Sequence, residues 1–110
     1  MSQQLKDWTK SQFHAFILVC GAHSNYEVTE EEKRYIVSVT GPSDFEFAEK
    51  AFTDSSDFEC ANIISEGQAH FYPSDHDKRL LESELRTLFA ADHEFETLEE
   101  NFLRYIDKLL

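Results

Sequence analysis

Glycine and proline are scarce in this chain, three and two among 110 residues, which argues against a fold that turns every few residues. The long uninterrupted segments between them favour helices over a many-turned β-sandwich. Cysteine is limited to Cys20 and Cys60, too few for a disulfide framework. Each sits in an apolar helical pattern, where a free thiol behaves as a small hydrophobe, and a bond between them is open but not required. Long hydrophobic runs are missing as well. The longest, Ala15 to Cys20, is far too short to span a bilayer, and Met1 to Lys10 is polar, without the apolar centre of a signal peptide. A reducing cytoplasm is therefore the expected location, with no direct membrane insertion. Positive charge is the last shortage: Lys and Arg number 10 against 22 Asp and Glu, a formal net charge of −12. No stretch clusters enough basic side chains to engage a phosphate backbone, so nucleic acid is excluded as a partner and anionic lipid is disfavoured. The same field attracts divalent cations and basic protein surfaces. The plainer alternative is that the acids only solubilise the helices.

What the chain does contain is bulk. Apolar residues make up 41% of it and include ten Phe, four Tyr and one Trp, enough to build a core without staples or metal. At this length one core is expected, so residues 1–110 form one domain. Phe13, Phe16, Ile17 and Cys20 recur at helical spacing and predict a first helix from about Asp7 or Trp8 to Ala22. Thr29 with Glu32 spells a capping box, opening a second helix that turns Tyr35, Ile36 and Val39 inward and stops at Gly41 before Pro42. Ser43 with Glu46 repeats that signature and predicts a short helix from about Asp44 to Phe52, burying Phe45, Ala48 and Phe52. Ser56 with Glu59 predicts another, with Phe58, Ala61 and Ile63 or Ile64 inward and an end near Gly67, or a turn beyond it. Ser74, Asp75 and Asp77 suit the start of a helix reaching about Ala91 on a stripe of Leu81, Leu85 and Leu88. Thr97 with Glu100 opens a last helix carrying Leu98, Phe102, Ile106 and Leu109. No segment alternates as a strand does.

Two inter-helix turns echo each other. Asn25-Tyr26-Glu27-Val28 and Asp92-His93-Glu94-Phe95 stand at one constant offset, which also pairs Glu32 with Glu99, Tyr35 with Phe102 and Ile36 with Leu103. Each copy reads as a helix, a tight acidic link, an apolar residue tucked inward and a second helix opened by acids. Two such hairpins would pack about a pseudo-twofold axis. Together these features specify a single all-α bundle of about five to seven helices, built from two related helix-loop-helix halves.

The second turn, Ala91-Asp92-His93-Glu94-Phe95 followed by Glu99 and Glu100, resembles the pattern Ala-Asp-Gly-Glu-(Val or Phe) of the TerB-like family of tellurite-resistance proteins. The first turn, with Glu30, Glu31 and Glu32 behind it, is a looser copy, and the likeness runs from about Phe13 to Leu109. The resemblance implies an all-helical bundle with no catalytic activity and an acidic cluster that takes a divalent cation. It also implies protein partners from tellurite-resistance and stress-response systems, some of them membrane-linked. Two departures bear on any cation site. Asn25 stands where the pattern has Asp, removing a charge, and Tyr26 and His93 stand where it has Gly.

The turns are not EF-hands. A calcium loop beginning at Asp92 would place Thr97 where glycine is needed and Leu103 where a bidentate Glu is needed. A less regular oxygen site remains, drawing on Asn25, Glu27 and Glu32 from one copy and Asp92, Glu94 and Glu99 from the other, and suited to calcium, magnesium or manganese. Against it stands the reading in which these acids only cap helices and face water. For zinc, Cys20 with His23, or Asp75-His76-Asp77, lacks the spacing of a recognised site. There is no phosphate loop, no His-Glu-x-x-His run and no nucleophile with a base that spacing identifies, so no enzyme is expected. An interaction module or homodimer is the competing reading. Its candidate apolar patch is Trp8, Tyr26, Phe71 and Tyr72, with Phe71 the readiest of the four to join the core.

Overall fold

The computed structural model describes residues 7–23 and 29–90, together with Arg104. Over these residues the protein is all-α, with five helices and no strand among the described residues: α1 Lys10–Ala22, α2 Glu30–Thr40, α3 Pro42–Asp54, α4 Asp57–Phe71 and α5 Asp75–Ala90. None of the helices searched is long and apolar enough to cross a membrane. The expected last helix and the second acidic turn lie outside the described residues, apart from Arg104, which is helical.

The organising element is α1. Its spacing predicts one apolar stripe, yet every residue from Ala15 to Ala22 is buried, together with Phe13. All four other helices touch it, α3 most extensively. The reason lies in the unbroken run Ala15 to Cys20: a helix needing one apolar face would carry polar residues in that run, whereas a helix wrapped on all sides cannot. Ser11 of α1 donates a hydrogen bond to the Asp44 carboxylate of α3 where the two helices meet at the more exposed end. α1 also begins later than its periodicity suggests, because Thr9 and Gln12 form a capping box in which Thr9 Oγ1 accepts from Gln12 N at 3.1 Å and Thr9 N donates to Gln12 Oε1 at 2.9 Å.

The boxes at Thr29 with Glu32 and at Ser56 with Glu59 form as expected, and Ser74 Oγ accepts from Asp77 N at 3.1 Å to open α5. The box expected at Ser43 with Glu46 does not form. Pro42 takes the first helical position, and α3 has no side-chain cap. Proline's preset φ suits that position, and it needs no partner for an N–H. Gly41 serves both neighbours. Its N–H donates to Val37 O at 2.8 Å and its carbonyl accepts from Phe45 N at 3.1 Å, at a φ of 95° that side-chain-bearing residues avoid.

Five inward assignments change: Val39 and Phe58 are exposed, and Tyr35, Phe52 and Ala61 are half-buried rather than enclosed. Val39 is 41% exposed because the buried positions of α2 run through Glu32 and Ile36 toward half-buried Thr40, leaving Val39 at the edge. Phe52 is half-buried rather than enclosed, packed on the core's rim. Phe58 is 75% exposed, since α4 turns Cys60, Ile63, Ile64, Gly67 and Gln68 inward instead. Small residues at 60 and 67 let α4 approach α1 closely, and Phe58 falls on the far side of the helix. α5 keeps its expected stripe, with Leu81, Leu85 and Leu88 buried.

Gly67 shows how close that approach is. The helix runs through it to Phe71, the longer of the expected ends, and a Cβ at this position would overlap the Phe13 ring. That ring is fully buried and stacked on Phe71 at 5.4 Å between centroids, so it has no room to retreat. Helix propensity alone favours Gly67→Ala by about 1 kcal/mol. Overpacking opposes it, and the substitution is expected to destabilise the protein by about 1–3 kcal/mol. A denaturant titration measures this directly, and a rise in stability would show that Phe13 and Gly67 are not in register as described.

Candidate functional site

Of the six residues assigned to the acidic turns, only Glu32 is among those described. Asn25, Glu27, Asp92, Glu94 and Glu99 lie outside them. Glu32 is fully buried. Its Oε1 accepts from Thr29 N and from Thr29 Oγ1, each at 3.1 Å, while Thr29 Oγ1 accepts from Glu32 N at 3.1 Å. A cation recruiting this carboxylate would compete with those capping bonds. Glu30 and Glu31, in the same first turn, point to water, where the positive end of the helix dipole favours them. The turn thus has a division of labour at its downstream end, with one acid fixing the helix start and two facing solvent.

At the upstream end, His23 closes α1. Its ring stacks on Phe52 at 4.2 Å with an interplanar angle of 12°, and Nε2 lies 3.0 Å from Glu49 Oε1 of α3. Cys20 belongs to the buried core, whereas the His23 ring is held by Phe52 and Glu49, so nothing in the geometry joins Cys20 and His23 as zinc ligands. Asp77 at the start of α5 is engaged by Ser74 in ordinary N-terminal capping. Among the described residues, no group of three or more His, Cys, Asp or Glu side chains is arranged to hold a metal ion.

Sequence spacing gave no signal for a second polar cluster, at the junction of α1, α2, α4 and α5. His14 Nε2 of α1 pairs with Glu84 Oε2 of α5, and the His14 ring lies edge-on to Tyr72, 6.3 Å between centroids. Lys10 Nζ sits 4.7 Å above the same Tyr72 ring. Burial, and after it the Glu84 and Asp77 carboxylates, push the Tyr72 hydroxyl up to about 12. Burial and then Glu84 also raise that of Tyr35, against a smaller opposing effect of its hydrogen bond with Thr87. These residues come from α1, α2 and α5 and from Tyr72, the residue that caps α4, and His14 is set into a helix otherwise apolar from Phe13 to Cys20. That lone polar residue in the apolar run is the one clue the sequence offers. Chemically the cluster is a tie: a partly buried imidazole–carboxylate pair flanked by two phenols kept neutral.

The candidate aromatic patch resolves differently from expectation. Trp8 packs edge-on against Phe16 and Phe47, at 5.3 and 5.0 Å. Phe71 stacks on Phe13, and Tyr72 is 7% exposed. Tyr26 lies outside the described residues. Among the described residues, the large aromatic open to solvent is Phe58, between the acids Asp57 and Glu59.

Because its folded-state value is raised from 10 to about 12, Tyr72 contributes stability that is complete below about pH 10 and is lost as pH climbs toward about 12. Unfolding free energy is therefore expected to fall across that alkaline window while tyrosinate absorbance of the folded protein lags. Tyr72→Phe should flatten the fall. An unchanged alkaline limb in that variant would remove Tyr72 as its source.

Comparison of the chain with family models, with curated proteins and with solved structures gives no match, so the resemblance to the TerB-like family rests on the sequence motifs alone.

Proposed function

We propose that this is a non-enzymatic binding protein of the TerB-like kind, acting in the reducing cytoplasm and taking a divalent cation or a basic protein surface at its acidic inter-helix turns. The observation that carries the reading is the first turn of α2, where Glu30 and Glu31 face solvent beside the link containing Asn25 and Glu27 in a chain of net charge −12. Carboxylates gathered at one end of a bundle raise the energy of the unliganded state. A cation of the calcium, magnesium or manganese kind, or an Arg-rich partner, relieves that repulsion on binding. The work is electrostatic and needs no chemical step. Partners from stress-response systems, including membrane-linked ones, fit the resemblance.

The test is thermal unfolding of metal-stripped protein with calcium, magnesium, manganese or zinc added singly against matched monovalent salt. A ligand at a hundred times its Kd stabilises by about 2.7 kcal/mol, a shift of several degrees for a domain of this size. The expected result is a rise beyond the salt control for one ion, abolished by Glu27→Gln combined with Glu94→Gln. If every ion only mimics monovalent screening, the cation reading is wrong.

A second reading is favoured by Phe58. An aromatic ring three-quarters exposed and flanked by Asp57 and Glu59 is the kind of apolar anchor with an acidic rim that a protein interface uses. On this reading the chain is an interaction module or a homodimer, and its other acids serve only solubility and capping. Light scattering across a concentration series distinguishes the two oligomeric states. Phe58→Asp is expected to shift a dimer to monomer without lowering the unfolding midpoint, and a monomer at every concentration would rule out self-association through this ring.

A further inference from the structure

The solvent face of α5 runs against the charge of the chain. His76, Arg79, Leu80, Ser83 and Arg86 are all exposed and fall at helical spacing on one stripe, opposite the buried Leu81, Leu85 and Leu88. Asp75 stands exposed at the first residue of the helix, but its other acids, Asp77, Glu82 and Glu84, are half-buried and lie to either side. From Arg79 to Arg86 the stripe therefore carries two cations and no carboxylate, in a chain with 22 acids to 10 bases. The exposed bases of α2 differ. Lys33 and Arg34 follow the exposed Glu30 and Glu31 by three or four residues and share their face. Neither Arg79 nor Arg86 pairs with an acid among the described residues, and Leu80 beside them is 48% exposed.

We infer, resting on the reading of Phe58 as an interface anchor, that the α5 stripe is the surface which receives Phe58 of a second copy of the chain. Two copies then pair about a twofold axis, with each Phe58 seated on the other copy's α5. Charge complementarity selects this occupant. Phe58 is 75% exposed and bordered by Asp57 and Glu59, both exposed, so its patch is an apolar knob with an acidic rim. The α5 stripe is the converse, an exposed leucine with a basic rim. A guanidinium takes a carboxylate with its fork and an aromatic ring with its plane, so Arg79 and Arg86 suit both components of the Phe58 patch, and Leu80 supplies the apolar contact. Two chains of net charge −12 repel at a distance, and a local meeting of opposite charges is what lets them associate. The two patches sit on different helices, so a twofold pair uses each patch of each copy once and makes two equal contacts.

The experiment is sedimentation equilibrium of the full chain at fixed ionic strength, beside Phe58→Asp, Asp57→Arg, the pair Arg79→Glu with Arg86→Glu, and these last three substitutions together. Glu59 is kept, because its carboxylate accepts from Ser56 N at 3.1 Å to cap α4. The substituted side chains are all exposed, and circular dichroism checks that each variant stays helical. The unsubstituted chain is expected to dimerise. Reversing Arg79 and Arg86, or reversing Asp57, is expected to weaken the dimer by about tenfold or more, and the triple variant to recover part of that loss because the reversed charges again face their opposites. Asp57→Arg is the sharpest arm: it makes the chain less negative, so a dimer governed by overall repulsion would tighten where a dimer seated on α5 loosens. A tighter dimer in that variant overturns the α5 seat. A dimer that Phe58→Asp breaks but that ignores reversal of Arg79 and Arg86 also overturns it, while leaving Phe58 as an anchor on another surface. A monomer at every concentration overturns both the seat and self-association through Phe58.

Discussion

Everything in this fold depends on burying one helix on every side. α1 carries Phe13, Phe16, Ile17, Leu18 and Val19 at zero exposure, and each fully buried side chain of this size contributes about 1.5–3 kcal/mol relative to exposure. No single neighbour could cover such a helix. α3 covers most of it, and α2, α4 and α5 close the remainder, so the outer helices are amphipathic because α1 is not. The polar ties to α1 follow the same geometry. His14 reaches Glu84 on α5 and His23 reaches Glu49 on α3, each where the apolar surface of α1 gives out or is interrupted.

That dependence also decides which parts of the fold were legible in advance. Capping boxes are local, so Thr29 with Glu32 and Ser56 with Glu59 could be read directly from their spacing. Thr9 with Gln12 carries the same signal, with Gln in place of Glu, and it sets the start of α1 two or three residues later than the apolar periodicity does. Ser43 with Glu46 spells the motif without forming it, because Pro42 already occupies the position that begins the helix. Sidedness was harder to read. On α4 the bulky Phe58 is the more conspicuous apolar residue, yet Cys60 and Gly67 face the core, since close packing against α1 selects small side chains. Periodicity identifies a stripe by hydrophobicity and is blind to a contact surface defined by smallness.

The candidate site was legible to a different extent. The composition alone establishes a strong negative field, and the spacing identifies Glu32 as a helix-starting acid. Which carboxylates converge is a question of tertiary placement, and the echo between the two turns constrains only their order along the chain. Glu32 illustrates the limit: the same residue type, in the same motif position, serves as a cap as readily as it serves a cation, and only its burial and its bonds to Thr29 tell which group its Oε1 holds. The meeting of His14 with Glu84 left only the place of His14 in an apolar run as a local sign, because it joins residues far apart in sequence.

The charge and the core act on stability in opposite directions, and their separation in space is what makes the electrostatic reading workable. From Phe13 to Ala22 the central helix carries no formal acid, whereas among the described residues every acid except buried Glu32 is half-buried or exposed. Exposed charges repel through water and are screened over about 10 Å at 0.1 M salt, so ionic strength can relieve much of the strain without altering the packing. A bound cation differs from screening in being local. It would relieve the repulsion only among the acids it touches, and it would act on the links between helices rather than on α1. The burial of α1 supplies the rigidity against which such a local relief can be measured, since a loosely packed bundle would relax its acids apart and leave little repulsion for a ligand to remove.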